Sequence, residues 1–300
     1  MMTYRGGEGI ARLICAAARR YPKRCPTLSP AGVTLKMSSI DVPLKNGGFG
    51  STRRKDNWWI EPILVFLGYM AFIVYATWAA LQGNNYLCTT QCGGADYLSP
   101  MYSPLLFNAA PAWWPAILPF SAAMFILPFP GLFRFTCYYY RGAYYKAFWA
   151  DPISCTVGEP RKTYWGEKTF PLILQNVHRY FLYFAIIFVF ILLFDGYRSL
   201  WFTGADGVKH FGIGVGSLVL ILNPILLGGY TFGCHSLRHL VGGIKDVLSG
   251  SPLRKNAYDC VSCLNRSHMK WAWVSMFFVG FADVYVRLCA MGVWHDWRIL

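Results

Sequence analysis

The chain alternates five long apolar stretches with polar, mostly basic connections. Each stretch has about twenty residues, which is enough to cross ~30 Å of hydrocarbon as an α-helix. The pattern predicts an all-α integral membrane protein, a bundle of five transmembrane helices with long cytoplasmic loops. The stretches run over residues 60–81, 112–133, 176–201, 210–234 and 269–293.

The composition agrees with a membrane protein. Of the 300 residues, 55% are hydrophobic, 18% are aromatic and only 14% are charged, a balance that is unusual for a water-soluble chain. Lysine and arginine are concentrated in the connections 134–179 and 238–270, whereas 83–111 contains neither. Because positive charge accumulates on the cytoplasmic side, we expect both basic connections and the N-terminus on that side.

The first 36 residues have a different character. They contain seven basic residues against the single acidic Glu8, and they stop just before Met37. We expect translation to start at Met37, with an Arg-rich transit peptide as the alternative. The predicted division is therefore a basic, disordered extension over 1–55 and a membrane-anchor domain over 56–300. The net charge of +14 follows from this extension and the loop topology, so no nucleic-acid partner is expected.

Proline and glycine set two of the predicted helices apart. The second contains Pro115, Pro119, Pro128 and Pro130, which lack a backbone donor and kink a helix, so we expect it to be bent. The fourth is rich in glycine, and small residues let another helix or a flat cofactor approach its backbone closely.

Nine residues with metal-binding side chains are expected on one side of this bundle. Random placement would scatter them over both sides and the membrane centre. Their clustering indicates a buried inorganic or haem cofactor at one membrane face, and hence an electron carrier. The nine are Cys137, Cys155, His178, Cys234, His235, His239, Cys260, Cys263 and His268.

The spacing of these residues favours some ligand groups over others. His235 and His239 are four residues apart and share one face of a helix, and Cys260 with Cys263 forms a CxxC pair that can chelate iron or zinc. Two His with two Cys is the ligand set of a Rieske-type 2Fe–2S cluster. Two His from different helices would instead bind a b-type haem, and a zinc site is the third alternative.

Five longer sequence motifs can be compared with those of known protein families. They are DNWWIEP (56–62), FRFTCYYYRGAYYKAFWADPISCTVGEPR (133–161), LQNVHRYFLYFA (174–185), GGYTFGCHSLRHLVGG (228–243) and YDCVSCLNRSHMKWAWVS (258–275). Together, and in this order, they resemble the membrane-anchor subunit of an actinobacterial-type succinate dehydrogenase. The resemblance extends over roughly residues 55–300.

The resemblance implies a multi-pass subunit of a bacterial inner (plasma) membrane, in contact with lipid, that docks the flavoprotein and iron–sulfur subunits on the cytoplasmic face. It implies electron transfer to a quinone, usually menaquinone, through a Rieske-type 2Fe–2S cluster instead of haem b. A higher oligomer of the complex is a further expectation. The chain has no flavin or dinucleotide motif, so we expect succinate oxidation itself in a partner subunit.

Within this interpretation the ligands stay open. The leading hypothesis places His235 and His239 on one iron and a pair of thiols on the other, with His178 as the competing imidazole. The thiol pair is one of two: Cys260 with Cys263, or Cys137 with Cys155.

A quinone headgroup needs an apolar cleft near the last cluster and a few groups that hydrogen-bond its carbonyls. Aromatic and basic residues at the inner membrane surface have the required depth, although Tyr and Trp also form the ordinary interfacial belt. The predicted quinone-binding residues are Tyr140, Arg141, Arg179, Arg238 and Trp271.

Two smaller features concern the other side of the membrane and its interior. Cys88 and Cys92 lie in the connection predicted to be outside, where an oxidising compartment would allow a disulfide. Asp283 and Arg287 are four residues apart in the fifth helix and are expected to pair, which lowers the cost of both charges.

Two other functions are alternatives. A transporter would show internal repeats and a polar path across the membrane, but the chain has no evident repeat and few mid-membrane polar residues. A structural anchor would use its Cys and His to bind zinc, while electrons passed directly from partner clusters to quinone. Metal analysis separates this anchor from an electron carrier.

Overall fold

The computed structural model describes residues 48–107, 109–115, 117, 120–161, 169–170, 172–243 and 247–300. Most of the predicted basic extension, residues 1–47, therefore lies outside the described residues. Its last residues pair with a later loop: the Gly50 amide donates to the Gly158 carbonyl at 2.9 Å, and the Gly158 amide donates to the Ser51 carbonyl at 2.8 Å.

Helices dominate the described chain. Four of them are long and apolar enough to cross a membrane, namely Ile60–Gln82, Ile173–Arg198, Val215–Phe232 and His268–Ala290, which confirms the predicted all-α membrane fold. In chain order the helices are α1 Ile60–Gln82, α2 Ala123–Ile126, α3 Pro128–Phe135, α4 Tyr138–Tyr144, α5 His178–Arg198, α6 Val215–Phe232, α7 His235–Gly242, α8 Pro252–Asn265 and α9 His268–Ala290.

The second predicted span, 112–133, differs from a continuous helix. Its described residues form an irregular segment and then the short helices α2 and α3. Pro128 begins α3, a position where its missing amide has no partner to lose. The described chain therefore has four long spans, and the prolines explain why 112–133 is broken. α3 packs on α5, with the rings of Phe129 and Phe184 4.7 Å apart.

Close backbone approach joins α5, α6 and α9. A Cβ added at Gly229 of α6 would lie 2.6 Å from the Trp271 indole of α9, and one at Gly196 of α5 would lie 3.1 Å from Ile221 of α6. The sequence allowed either another helix or a flat cofactor beside the glycine-rich helix α6. The structure places other helices against it.

The outward faces of α1 and α5 are apolar. Leu64, Val74, Phe190 and Phe194 are all exposed. Surfaces of this kind suit contact with lipid or with apolar parts of partner subunits. They leave the polar chemistry to the two ends of the bundle.

One end of the bundle carries two small antiparallel pairs of strands, β1 Leu87–Cys88 with β2 Tyr97–Leu98 and β3 Trp201–Thr203 with β4 Lys209–Phe211. The predicted disulfide between Cys88 and Cys92 is present there. Arg287 Nε donates to Asp283 Oδ2 at 2.7 Å and both side chains are buried, so the predicted ion pair is confirmed. The opposite end, formed by α4, α7, α8 and the starts of α5 and α9, holds the candidate site.

Candidate metal centre

Two cysteines and two histidines meet in the core at this end. Cys137 lies between α3 and α4, His178 is the first residue of α5, Cys234 lies between α6 and α7, and His268 is the first residue of α9. All four side chains are buried, and the most exposed, His178, retains only 8% of its surface. Four separate junctions of the helical bundle thus deliver one thiol or one imidazole each to the same core cluster.

Each imidazole turns its Nε2 atom toward a thiol. His178 Nε2 lies 3.0 Å from Cys234 Sγ, and His268 Nε2 lies 3.5 Å from Cys137 Sγ. The two thiols also lie within range of mutual electrostatic interaction, as do the two imidazoles. The four groups therefore lie near one another in one region of the core, with each imidazole Nε2 against a thiol.

The tautomer of His178 follows from its neighbour Thr136. The Thr136 hydroxyl donates to the Leu132 carbonyl at 2.7 Å, so its oxygen is left to accept from His178 Nδ1, 2.9 Å away. With the proton on Nδ1, the Nε2 lone pair faces the thiols. A partner that holds the outer ring nitrogen in this way is typical of histidines that bind metals.

Aromatic rings enclose the two imidazoles. Phe133 stacks on His178 with ring centroids 4.6 Å apart, and Tyr230 stacks on His268 at 5.0 Å. The Ser236 amide donates to Cys234 Sγ at 3.3 Å, a contact that favours a thiolate. Burial raises the pKa of the Cys137 thiol, and the nearby Arg134 guanidinium partly opposes this effect.

The donor set fits a group that is held by two thiolates and two imidazoles. Among the described residues, no three His, Cys, Asp or Glu side chains converge as a single-ion site would require. A structural zinc ion needs four ligands around one point. A two-iron cluster is held differently, because each iron takes only two protein ligands.

The ligands that the leading hypothesis preferred lie elsewhere. His235 and His239 are exposed on α7 and line an open groove of about 650 Å³ with Arg179 and Arg238. Cys260 and Cys263 are half-buried on α8, and Cys155 is exposed in the loop after α4. Of the seven residues in that hypothesis, the structure brings Cys137 and His178 into the buried cluster.

The predicted quinone-binding residues do not share one cavity. Tyr140 is buried and donates to the Ala272 carbonyl at 2.8 Å, while Trp271 packs on Gly229. Arg141 donates to Gln175 Oε1 at 2.6 Å. Arg179 contacts His239 Nδ1 at 3.0 Å in the open groove, and Arg238 Nε donates to Ser262 Oγ at 3.0 Å beside it.

A second cleft lies directly beside the buried cluster. Its volume is about 400 Å³, and His268 is part of its wall. Trp273 Nε1 donates to the hydroxyl of Tyr139, another wall residue, at 2.6 Å. The rest of the wall is mainly apolar and aromatic and includes Trp58, Val65, Tyr138 and Met269. The charged side chains Glu61 and Lys146 also line it.

Sequence reasoning passed over Thr136, Arg134 and Glu61. Thr136 precedes Cys137 directly, which is the one local signal that could have marked it as a partner of the centre. The sequence around Arg134 and Glu61 contains no such signal. What these two side chains contact depends on how α3 and α1 pack against α9.

Comparison with known proteins decides the family. The description "Actinobacterial succinate dehydrogenase subunit SdhC" matches residues 60–292. The chain belongs to this family. The matched range contains all four residues of the buried cluster, and it confirms the resemblance that the sequence motifs carry.

A solved structure agrees with the SdhC assignment. The chain is similar to a chain of the "Mycobacterium smegmatis Sdh1 complex in the apo form", with 39% identity and a TM-score of 0.74, over 86% of this chain and 97% of that one. No curated protein matches the chain. The protein is thus a multi-pass membrane subunit of a succinate dehydrogenase, and it works together with other subunits of that enzyme.

Proposed function

We propose that this SdhC-family subunit passes electrons from a partner iron–sulfur subunit to a quinone, menaquinone by preference, through a Rieske-type 2Fe–2S cluster. The ligands are Cys137, Cys234, His178 and His268. The observation that carries the proposal is the burial of two thiols and two imidazoles in one region of the core, with each imidazole in contact with a thiol. Buried polar groups of this kind are costly unless they have partners, and this ligand set matches the Rieske type.

The surrounding residues have defined roles in this proposal. Thr136 holds His178 with its Nε2 lone pair inward, and Phe133 and Tyr230 exclude water from the imidazoles. The cluster, when bound, carries one electron at a time, and imidazole ligation raises its potential above that of all-cysteine clusters. A raised potential suits a carrier downstream of succinate.

The cytoplasmic end is proposed as the docking face for the flavoprotein and iron–sulfur subunits. Its basic connections support this orientation, because positive charge accumulates on the cytoplasmic side. The open groove with Arg179 and Arg238 then lies on the docking face. The disulfide lies at the opposite end, on the side where an oxidising compartment preserves it.

The central test is metal analysis of the purified complex. We expect iron and acid-labile sulfide beyond the content of the partner subunits, and a Rieske-type EPR signal at low temperature. A low-spin haem spectrum without that signal would favour haem b, held by His178 and His268. Zinc in place of the extra iron would leave this chain a structural anchor. The haem result rejects the 2Fe–2S cluster, and the zinc result rejects electron transfer through this chain.

The cleft beside His268 is proposed as the site of the quinone headgroup. It adjoins one proposed ligand of the cluster, its wall is mainly apolar and aromatic, and Lys146 and Tyr139 supply groups that can donate to carbonyl oxygens. Sites that bind small molecules are usually apolar clefts with a few polar groups.

Filling this cleft is expected to weaken quinone use selectively. Gly142 lines the cleft, and a Cβ added there meets no atom within 4 Å, so Gly142→Leu places its side chain in open space. We expect the KM for a short-chain quinone to rise about tenfold, with the EPR signal retained. The matched control is Gly131→Leu on α3, which also has open space around it but lies outside the cleft. Equal KM values for both variants would contradict this location.

A further inference from the structure

An arginine without a carboxylate partner lies close to the four buried Cys and His side chains, and one aromatic ring separates it from them. Arg134, near the end of α3, is partly buried, and its guanidinium donates to the Tyr140 hydroxyl at 2.6 Å, to the Ala272 carbonyl at 3.2 Å and to Ser275 Oγ at 2.9 Å. All three acceptors are neutral. In the described part of the chain, no Asp or Glu side chain forms an ion pair with it.

The guanidinium also stacks over the ring that covers His268. The Arg134 Cζ atom lies 4.7 Å from the Tyr230 centroid, and the Tyr230 and His268 centroids are 5.0 Å apart. The charge is therefore within about 10 Å of a cluster ligand, a separation at which unit charges still interact inside a protein. The backbone adds a link, since the Cys137 amide donates to the Arg134 carbonyl at 3.1 Å.

A positive charge held among neutral groups in a membrane bundle is costly. The cation–π contact with Tyr230 recovers part of this cost, but it leaves the net charge in place. A negative charge nearby would offset the rest. Within the part of the chain that the structure describes, the groups close by that could supply one are the thiolates of the proposed cluster, together with the electron that the cluster accepts.

We infer that Arg134 sets the reduction potential of the cluster by stabilising its reduced form. The inference rests on the proposed function. Two thiolates balance the oxidised 2Fe–2S core, so the oxidised centre with neutral imidazoles has no net charge. Reduction adds one electron from the partner's iron–sulfur centre, no bond forms or breaks, and the electron later leaves to the quinone. The reduced centre carries one negative charge, which Arg134 attracts.

The test measures the midpoint potential of the cluster by EPR-monitored redox titration of the purified complex. Arg134→Gln removes the charge and Arg134→Lys keeps it. Ser275→Asp leaves Arg134 in place but pairs its charge, while Ser275→Ala removes the hydroxyl and its hydrogen bonds without adding a charge. We expect Arg134→Gln and Ser275→Asp each to make reduction about tenfold less favourable, which is a shift of −59 mV for a one-electron couple.

The controls decide the interpretation. Arg134→Lys and Ser275→Ala are expected to stay close to the wild-type potential, which would support a charge effect over a packing effect. If Arg134→Gln fails to assemble, the Ser275→Asp and Ser275→Ala pair alone carries the test. An unchanged potential in Ser275→Asp, with the wild-type signal present, overturns the inference. Absence of the signal in the wild-type complex instead rejects the proposed function itself.

Discussion

Replacing Cys234 with serine is expected to remove the 2Fe–2S cluster and to stop electron transfer from succinate to quinone. The thiol lies in the core, 3.0 Å from His178 Nε2, and serine offers a far poorer iron ligand. Loss of partners that merely support ligands costs about 10–100-fold, so loss of a ligand should cost about 100-fold or more. The measurements are the Rieske-type EPR signal and the rate of succinate-dependent quinone reduction.

Matched cysteine variants make this result specific. Cys155→Ser changes an exposed loop thiol, and Cys260→Ser changes a half-buried thiol on α8; both are expected to keep the signal and the rate. Reduction of a soluble dye by succinate should persist in all three variants, because it needs only the partner subunits. Loss of the signal in Cys260→Ser but not in Cys234→Ser would restore the ligand pairing that spacing alone suggested.

Removing Arg287 is expected to destabilise the bundle strongly. Asp283 is fully buried and accepts hydrogen bonds from Arg287, Tyr75 and Ser99. Arg287→Met therefore leaves a buried carboxylate without its counter-charge, which typically costs about 3–5 kcal/mol. We expect a clear fall in the thermal unfolding midpoint of the purified complex in detergent.

A double variant separates the charge from the packing. Asp283→Asn combined with Arg287→Met removes both charges, so its unfolding midpoint should lie above that of Arg287→Met alone. Asp206→Asn, which alters an exposed pair with His210, serves as the surface control and should change little. A double variant no more stable than Arg287→Met would show that the side chain of Arg287 matters through packing.

The ion pair also explains how the end that carries the disulfide is held. Arg287 donates to the carbonyls of Ala79 and Asn84 at the end of α1, and Ser99 joins the connection between α1 and α2 to Asp283. One pair of charges thus ties α9, α1 and this connection together. Sequence spacing predicted the pair itself, but it could not show these further partners.

Local patterns predicted the parts of the fold that depend on short segments. The apolar lengths around Tyr69, Leu182, Leu220 and Met276 identified helices that the structure contains as α1, α5, α6 and α9. The exception is 112–133, where hydrophobicity indicated a span but proline interrupted the backbone. Hydropathy measures transfer into an apolar medium, and it does not register the loss of backbone donors.

The candidate ligands show the same limit in another form. Sequence alone assembled a pool that included Cys234 and His268, because their position relative to the membrane is a local property. It then favoured His235 with His239 because they are close in sequence. In the folded chain these two histidines lie on the exposed side of α7, whereas Cys234, one residue before His235, turns into the core.

The sequence by itself therefore determined the membrane class, the four long helices, the gathering of thiols and imidazoles at one end of the bundle, and the family. Only the tertiary structure selected Cys137, His178, Cys234 and His268 from that pool and placed Arg134 near them. The physical reason is that each of the four comes from a different helix junction. Which side chains meet depends on how the helices rotate and pack against one another, and no single segment encodes that.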